Sequence, residues 1–237
     1  MLKIEFKKLK LFSLLSTVLI IPLLANIFGT INYLLNQEIL KNKLESLWTQ
    51  TSLFYFTFFI IPLISIIVSS LWSVEHKAGL KLIRTSPIKN INFIRAKSFI
   101  AFIIIAFTQI YFLLLFVLSG KFICGFNIER LGLYIYYIGI SILSSLPIIA
   151  IMNYLSLKIK SLGLIVLMSV LISIFGFALV AQNIIPPFQN IIASSKLAIA
   201  TNHFDLINRS DGIKMFLFSL MEILIFTKKS NNLLKYE

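Results

Sequence analysis

The sequence predicts an all-α integral membrane protein, and three observations carry that prediction. Of its 237 residues 58% are hydrophobic and 13% charged, against about 45–50% and about 25% in an ordinary soluble domain. The mean hydropathy is +0.93. The apolar residues also fall into runs of about 20, the length at which a helix rising 1.5 Å per residue crosses about 30 Å of hydrocarbon. Finally, the net charge of +13 is gathered at the ends of those runs and forms no continuous face. That distribution suits anionic lipid and topology setting, and argues against nucleic acid as a partner.

The elements follow in order. Leu2, Phe6 and Leu9 repeat at helical spacing, with Lys3, Lys7 and Lys10 on another face. This pattern predicts a short N-terminal amphipathic helix on the membrane surface. Spans are predicted over Leu11–Ile31, Leu53–Trp72, Phe99–Leu118, Leu133–Tyr154 and Leu162–Ala181. The first lacks a small-residue cleavage pattern and is retained as a span. A sixth, Met215–Thr227, holds only about 13 residues, short for a crossing unless the helix extends outward or the bilayer thins. Tyr33, Trp48, Trp72, Tyr134 and Tyr154 near segment ends fit interfacial aromatic belts. Between the fifth and sixth spans lies a large segment, 182–212. Its Ile184–Phe188 and Ile191-Ile192 runs could enter as a broken helix, and a plain external loop is the simpler expectation.

Loop charge sets the orientation. With both termini inside, the cytoplasmic parts 1–10, 74–98, 156–161 and 228–237 hold 15 of the 22 Lys and Arg in about 51 residues. The positive-inside rule therefore puts both termini in the cytoplasm.

Little catalytic chemistry is encoded. His76 and His203 fall in loops on opposite sides, and Cys124 is the one cysteine, so no disulfide within the chain and no Cys-based metal cluster is expected. There is no His-Glu-x-x-His, no Gly-x-Ser-x-Gly and no P-loop; Gly120-Lys121 is followed by Phe122. No catalytic residue, metal or cofactor is assigned to this chain. If it works against a gradient, its motor is another chain. Four strong polar groups stand in the spans, Asn26, Gln109, Asn153 and Glu222. Each is read as an interhelical hydrogen-bonding residue or as lining a substrate path.

The basic stretch from Val74 to Ser98 carries six Lys and Arg. Val74–Thr85 can form about three helical turns closed by Ser86-Pro87, and Asn90 can cap a second short helix leading into the third span. Glu75, Lys77, Lys81 and Arg84 would offer a charged surface, with Ala78, Leu80, Leu82 and Ile83 as apolar contact. Spacing alone leaves open whether this is an interface to a soluble subunit or a solvated topology-setting loop.

The basic amphipathic N-terminus, six spans and a Glu-x-x-x-Gly loop (Glu75, Gly79) after the second span resemble the permease subunits of ABC-2 type exporters. More narrowly, Asn32-Tyr33, Leu47-Trp48-Thr49-Gln50, Phe54-Tyr55, Phe58-Phe59 and Trp72 with Glu75-His76 resemble lantibiotic and bacitracin-type self-immunity permeases. The broad resemblance covers nearly the whole chain and the specific positions lie between about residues 30 and 100. It implies one ABC-2 membrane domain over residues 1–237, with a cytoplasmic coupling helix between the second and third spans. Glu75, His76, Lys77, Gly79, Lys81 and Arg84 would then form the contact to an ATP-binding cassette subunit, which would bind ATP and Mg. The resemblance further implies a second permease subunit, a bacterial plasma membrane, and an amphiphilic antimicrobial peptide as exported substrate. Two other readings compete: a non-transporting immunity or scaffold protein, which would protect without an ATPase, and an intramembrane enzyme.

Overall fold

The structure is a computed structural model and describes residues 2–8, 11–78, 80, 83, 86–182, 197–201, 204 and 206–236. Among them are helices and no strand, the all-α membrane architecture expected from the sequence. The helices are α1 (Leu2–Lys7), α2 (Leu11–Leu35), α3 (Lys43–Phe54), α4 (Ile60–Ala78), α5 (Asn90–Leu118), α6 (Leu131–Lys158), α7 (Leu162–Gln182) and α8 (Arg209–Tyr236). Five stretches of the described chain are long and apolar enough to cross a membrane.

Two spans are longer than the apolar runs suggested. A π-helical turn, Tyr55–Phe59, joins α3 to α4, so one helical rod runs from Lys43 to His76. The turn ends three residues before Pro62, whose ring would collide with the carbonyl four residues back in a regular helix; widening the preceding turn relieves that clash. The third span likewise begins at Asn90, not Phe99. The expected separate helix capped by Asn90 does not form, because nothing between Asn90 and Phe99 breaks the helical path. Lys89 takes the cap position, and the Asn90 side chain donates to the Leu234 carbonyl of α8 at 3.2 Å. A second π-helical turn, Ser119–Ile123, extends α5 and ends at Gly125, whose φ of 69° suits glycine.

α2 lies against α3 closely enough that a Cβ on Gly29 would sit 2.4 Å from the Thr51 Cα. α6 packs on α5, α4 and α8, and α7 covers α4. The last helix runs parallel to α6: Gly212 and Tyr136 line a shared groove, and the Phe226 ring meets Tyr154 at a tilt, 5.7 Å between centroids. The expected short segment 215–227 is thus the middle of a 28-residue helix.

Four of the five aromatic residues assigned to membrane interfaces are inside instead, and Tyr154 is half-buried. Trp48 and Trp72 are both 0% exposed, and Tyr33 and Tyr134 are buried with them. Trp48 meets Phe116 edge-on at 4.8 Å and Tyr134 at 4.9 Å, while Tyr55 stacks on Phe112 at 4.0 Å. Interhelical packing of large rings outweighs their interfacial preference here. The apolar runs at Ile184–Phe188 and Ile191-Ile192 lie outside the described residues, as does His203. Residues 197–201 form a short helix with Leu197 and Ala198 in the core, where a loop was expected.

Candidate functional site

At the membrane face where α1 ends, four charged side chains from α1, the turn after it, α4 and α5 meet. The sequence places Glu5 and Lys8 one helical turn apart, so both reach the same neighbour. The apolar residues Leu2, Ile4 and Phe6 of α1 stay exposed, as a helix resting on lipid requires. Lys97 is 1% exposed and forms the centre. Its Nζ lies 2.5 Å from Glu5 Oε2 and 3.3 Å from Glu75 Oε1, donates to the Leu71 carbonyl at 2.8 Å, and stands 5.0 Å above the Trp72 ring. Lys8 closes the group, 2.8 Å from both Glu5 and Glu75.

Two carboxylates and two ammonium groups give a balanced, fully paired cluster. Burial alone would push the Glu5 carboxyl up, but hydrogen bonds from Lys8 and Lys97 outweigh it and hold it below its usual value. Burial likewise lowers Lys8, and its bonds to Glu5 and Glu75 overcome this and raise it. Glu5 and Lys8 are thus both shifted toward their charged forms, and with Glu75 and Lys97 they act as an electrostatic joint. Net stabilisation from such a buried group is modest, whereas removal of one member is costly.

A second polar chain continues from this joint into the bundle. Trp72 Nε1 donates to Asn153 Oδ1 at 2.7 Å, and Asn153 Nδ2 donates to Ser98 Oγ at 2.9 Å. The Ser69 and Ser156 hydroxyls share a hydrogen bond of 3.1 Å, and His76 Nε2 lies 2.5 Å from the Ser156 carbonyl oxygen. The cytoplasm-facing end of α4 expected from the sequence is therefore tied to α1, α5 and α6 at once.

Glu75 was expected on an outward charged surface; it is 3% exposed and points into the protein. Its two lysine partners offset the water that its carboxylate gives up there. His76 is half-buried against α6. The side chain of Lys77 is not among those described, and Gly79, Lys81 and Arg84 lie outside the described residues. Ile83 is buried in the core and Pro87 is exposed.

Among the mid-span polar residues, Asn153 is an interhelical hydrogen-bonding residue. Asn26 and Gln109 are buried, with the Gln109 amide close to the Tyr55 hydroxyl. Glu222 is half-buried on α8. No hydrogen bond joins any two of these four among the described residues. Glu5 and Lys97 escaped the sequence reading. Lys97 stood in a stretch counted as loop, but its position three residues after Ile94 and three before Ile100, both buried, is a helical-face signal that could have found it.

A bundle of apolar helices, five of its stretches long enough to cross a membrane, with a charged joint at one face, has the build of a polytopic membrane protein. Residues 1–176 match the family model described as ABC-2 family transporter protein, and the chain belongs to that family. It is accordingly a membrane-transporter permease, and the family implies an ATP-binding cassette partner. A search among curated proteins found no match to the chain.

Proposed function

We propose that this chain is the permease subunit of an exporter that expels an amphiphilic antimicrobial peptide for self-immunity, with ATP hydrolysed in a separate subunit. The Glu5–Lys8–Glu75–Lys97 joint is the observation that carries the mechanical part of the reading. It fastens the surface helix and the start of α5 to the helix end from which residues 77–87 emerge, so a push on that segment reaches three helices together. Glu75 then serves docking by anchoring the segment, while Lys77, Lys81 and Arg84 make the contact. α8 completes a sixth crossing, because it runs beside α6 from Tyr136 to Tyr154. Both termini lie in the cytoplasm of a bacterial cell, and a second permease faces this one.

The experiment is affinity purification of the full chain from native membranes in mild detergent. An ATP-binding subunit should co-purify, and Lys81→Glu with Arg84→Glu should release it while membrane insertion persists. Recovery of the chain without such a subunit would overturn the docking assignment. Peptide protection that survives mutation of the partner's P-loop lysine would instead favour a non-transporting immunity protein.

A further inference from the structure

Three helices that begin or end at the face of the charged joint carry a proline in their interior, and the three prolines stand at one depth. Pro22 comes 11 residues after Leu11 at the start of α2, and Pro147 comes 11 before Lys158 at the end of α6. Pro62 comes 14 before His76, where the α3–α4 rod ends. At 1.5 Å per residue all three lie about 16–21 Å from that face. A proline inside a helix removes a backbone hydrogen bond and is a common place for it to bend. α5, by contrast, has neither proline nor glycine from Asn90 to Leu118.

Polar contacts tie the chain together on each side of this level. On the joint side, the Lys97–Glu75 pair and the Trp72–Asn153–Ser98 chain bind α4, α5 and α6. On the far side, the Asn32 amide donates to Gln50 at 2.6 Å, joining α2 to α3, and Arg130 at the start of α6 meets Glu45 of α3 at 3.1 Å. α5 meets this far body through rings, Phe112 on Tyr55 and Phe116 on Trp48. Such apolar contact is not directional and slides with less loss than a buried hydrogen bond suffers on breaking. There is also room. A groove of about 370 Å³ follows the far half of α6 against α8, from Tyr136 to Leu146, and stops one residue short of Pro147.

α7 bridges the level like a splint. In the π-helical turn the Ile60 N–H donates to the Tyr55 carbonyl, five residues back. In that register the Thr57 carbonyl would need the N–H of residue 62, which is proline. The Ser173 hydroxyl of α7 donates to it instead, as serine does for backbone groups freed by proline in membrane helices. One turn away, Ser169 of α7 lies 3.0 Å from Ser65, on the joint side of Pro62. Both of these hydroxyls also reach a carbonyl of their own helix, Ser65 at Pro62 and Ser169 at Val166, at 2.7 and 2.6 Å. The contact between the helices therefore opens without stranding either hydroxyl.

We propose that the bundle hinges at this level. The far halves of α2, the α3–α4 rod and α6 swing as one body at Pro22, the Tyr55–Phe59 turn and Pro147, α5 stays fixed with the joint, and Ser173 and Ser169 hold the closed form. The hinge belongs to this chain and does not rest on the exporter reading, because no second subunit enters its measurement.

The test is spin-label distance measurement by double electron–electron resonance on the full chain in nanodiscs, with Cys124→Ser so that only introduced cysteines are labelled. One pair, Asn92→Cys with Lys158→Cys, reports α5 against α6 at the joint end; the other, Leu114→Cys with Ile135→Cys, reports the same helices at the far end. All four positions are exposed. The joint-end pair should give one narrow distance and the far-end pair two. Ser173→Ala should raise the minor far-end population several-fold. Pro147→Ala, which restores a backbone hydrogen bond and so keeps the fold, should abolish it. A single narrow far-end distance in both the wild type and Ser173→Ala would overturn the hinge. So would equal breadth at the two ends, which describes a loose bundle, or a second far-end population that survives Pro147→Ala.

Discussion

Lys97→Met is the sharpest perturbation of the charged joint. It deletes the group that meets Glu5 at 2.5 Å, Glu75 at 3.3 Å and the Leu71 carbonyl at 2.8 Å. Two carboxylates then share Lys8 alone, leaving one buried negative charge without compensation. Breaking a buried pair in this way costs about 3–5 kcal/mol. Glu75→Gln leaves an excess positive charge, but Lys8 is 34% exposed and can turn to water, so the cost is smaller, about 1–2 kcal/mol. The double variant keeps Glu5 with Lys8 and restores balance. It should therefore cost less than the two single changes together by about 1–3 kcal/mol. The assay is equilibrium unfolding of the full chain in detergent, followed by tryptophan fluorescence, with Trp72 reporting from 5.0 Å away. Additivity to within about 0.5 kcal/mol, or an unaffected Lys97→Met, would refute the joint.

Three other outcomes follow from particular contacts. Glu5 is held below its usual carboxylate value of 4.5, so its contribution is complete above that value and fades as the pH falls through the lowered one; thermal unfolding below pH 4.5 should be less acid-sensitive in Glu5→Gln than in the wild type. Gly29→Ala puts a methyl 2.4 Å from backbone on α3, which should separate α2 from α3 at a cost of about 1–3 kcal/mol; an unchanged unfolding midpoint would mean the helices do not approach there. Trp72→Phe strands the Asn153 Oδ1 acceptor and should cost about 1–3 kcal/mol, most of it recovered when Asn153→Leu is added; failure of that recovery in the same unfolding assay would remove the hydrogen bond from the account.

Membrane character, five of the spans and the basic stretch after Trp72 were legible because apolar run length and charge are local properties that lipid reads directly. For Asn153 the sequence left open an interhelical hydrogen bond or a place on a substrate path, and the structure joins its side chain to Trp72 and Ser98. Glu75 was expected on a charged surface and is buried in the protein. Its partners, Lys8 and Lys97, are 67 and 22 residues away, and no periodicity connects them. Trp48 shows the same limit. A tryptophan near the end of an apolar run reads as interfacial until α3 is seen to continue inward and present it to Phe116 and Tyr134.

The sequence by itself determined that lipid is the solvent and which stretches cross it, because burial of apolar groups and exclusion of charge act residue by residue. Only the tertiary structure decided which charges meet, since a buried ion pair exists solely where separate helices bring opposite groups within a few ångströms. That is why Glu5, Lys8, Glu75 and Lys97 became one joint.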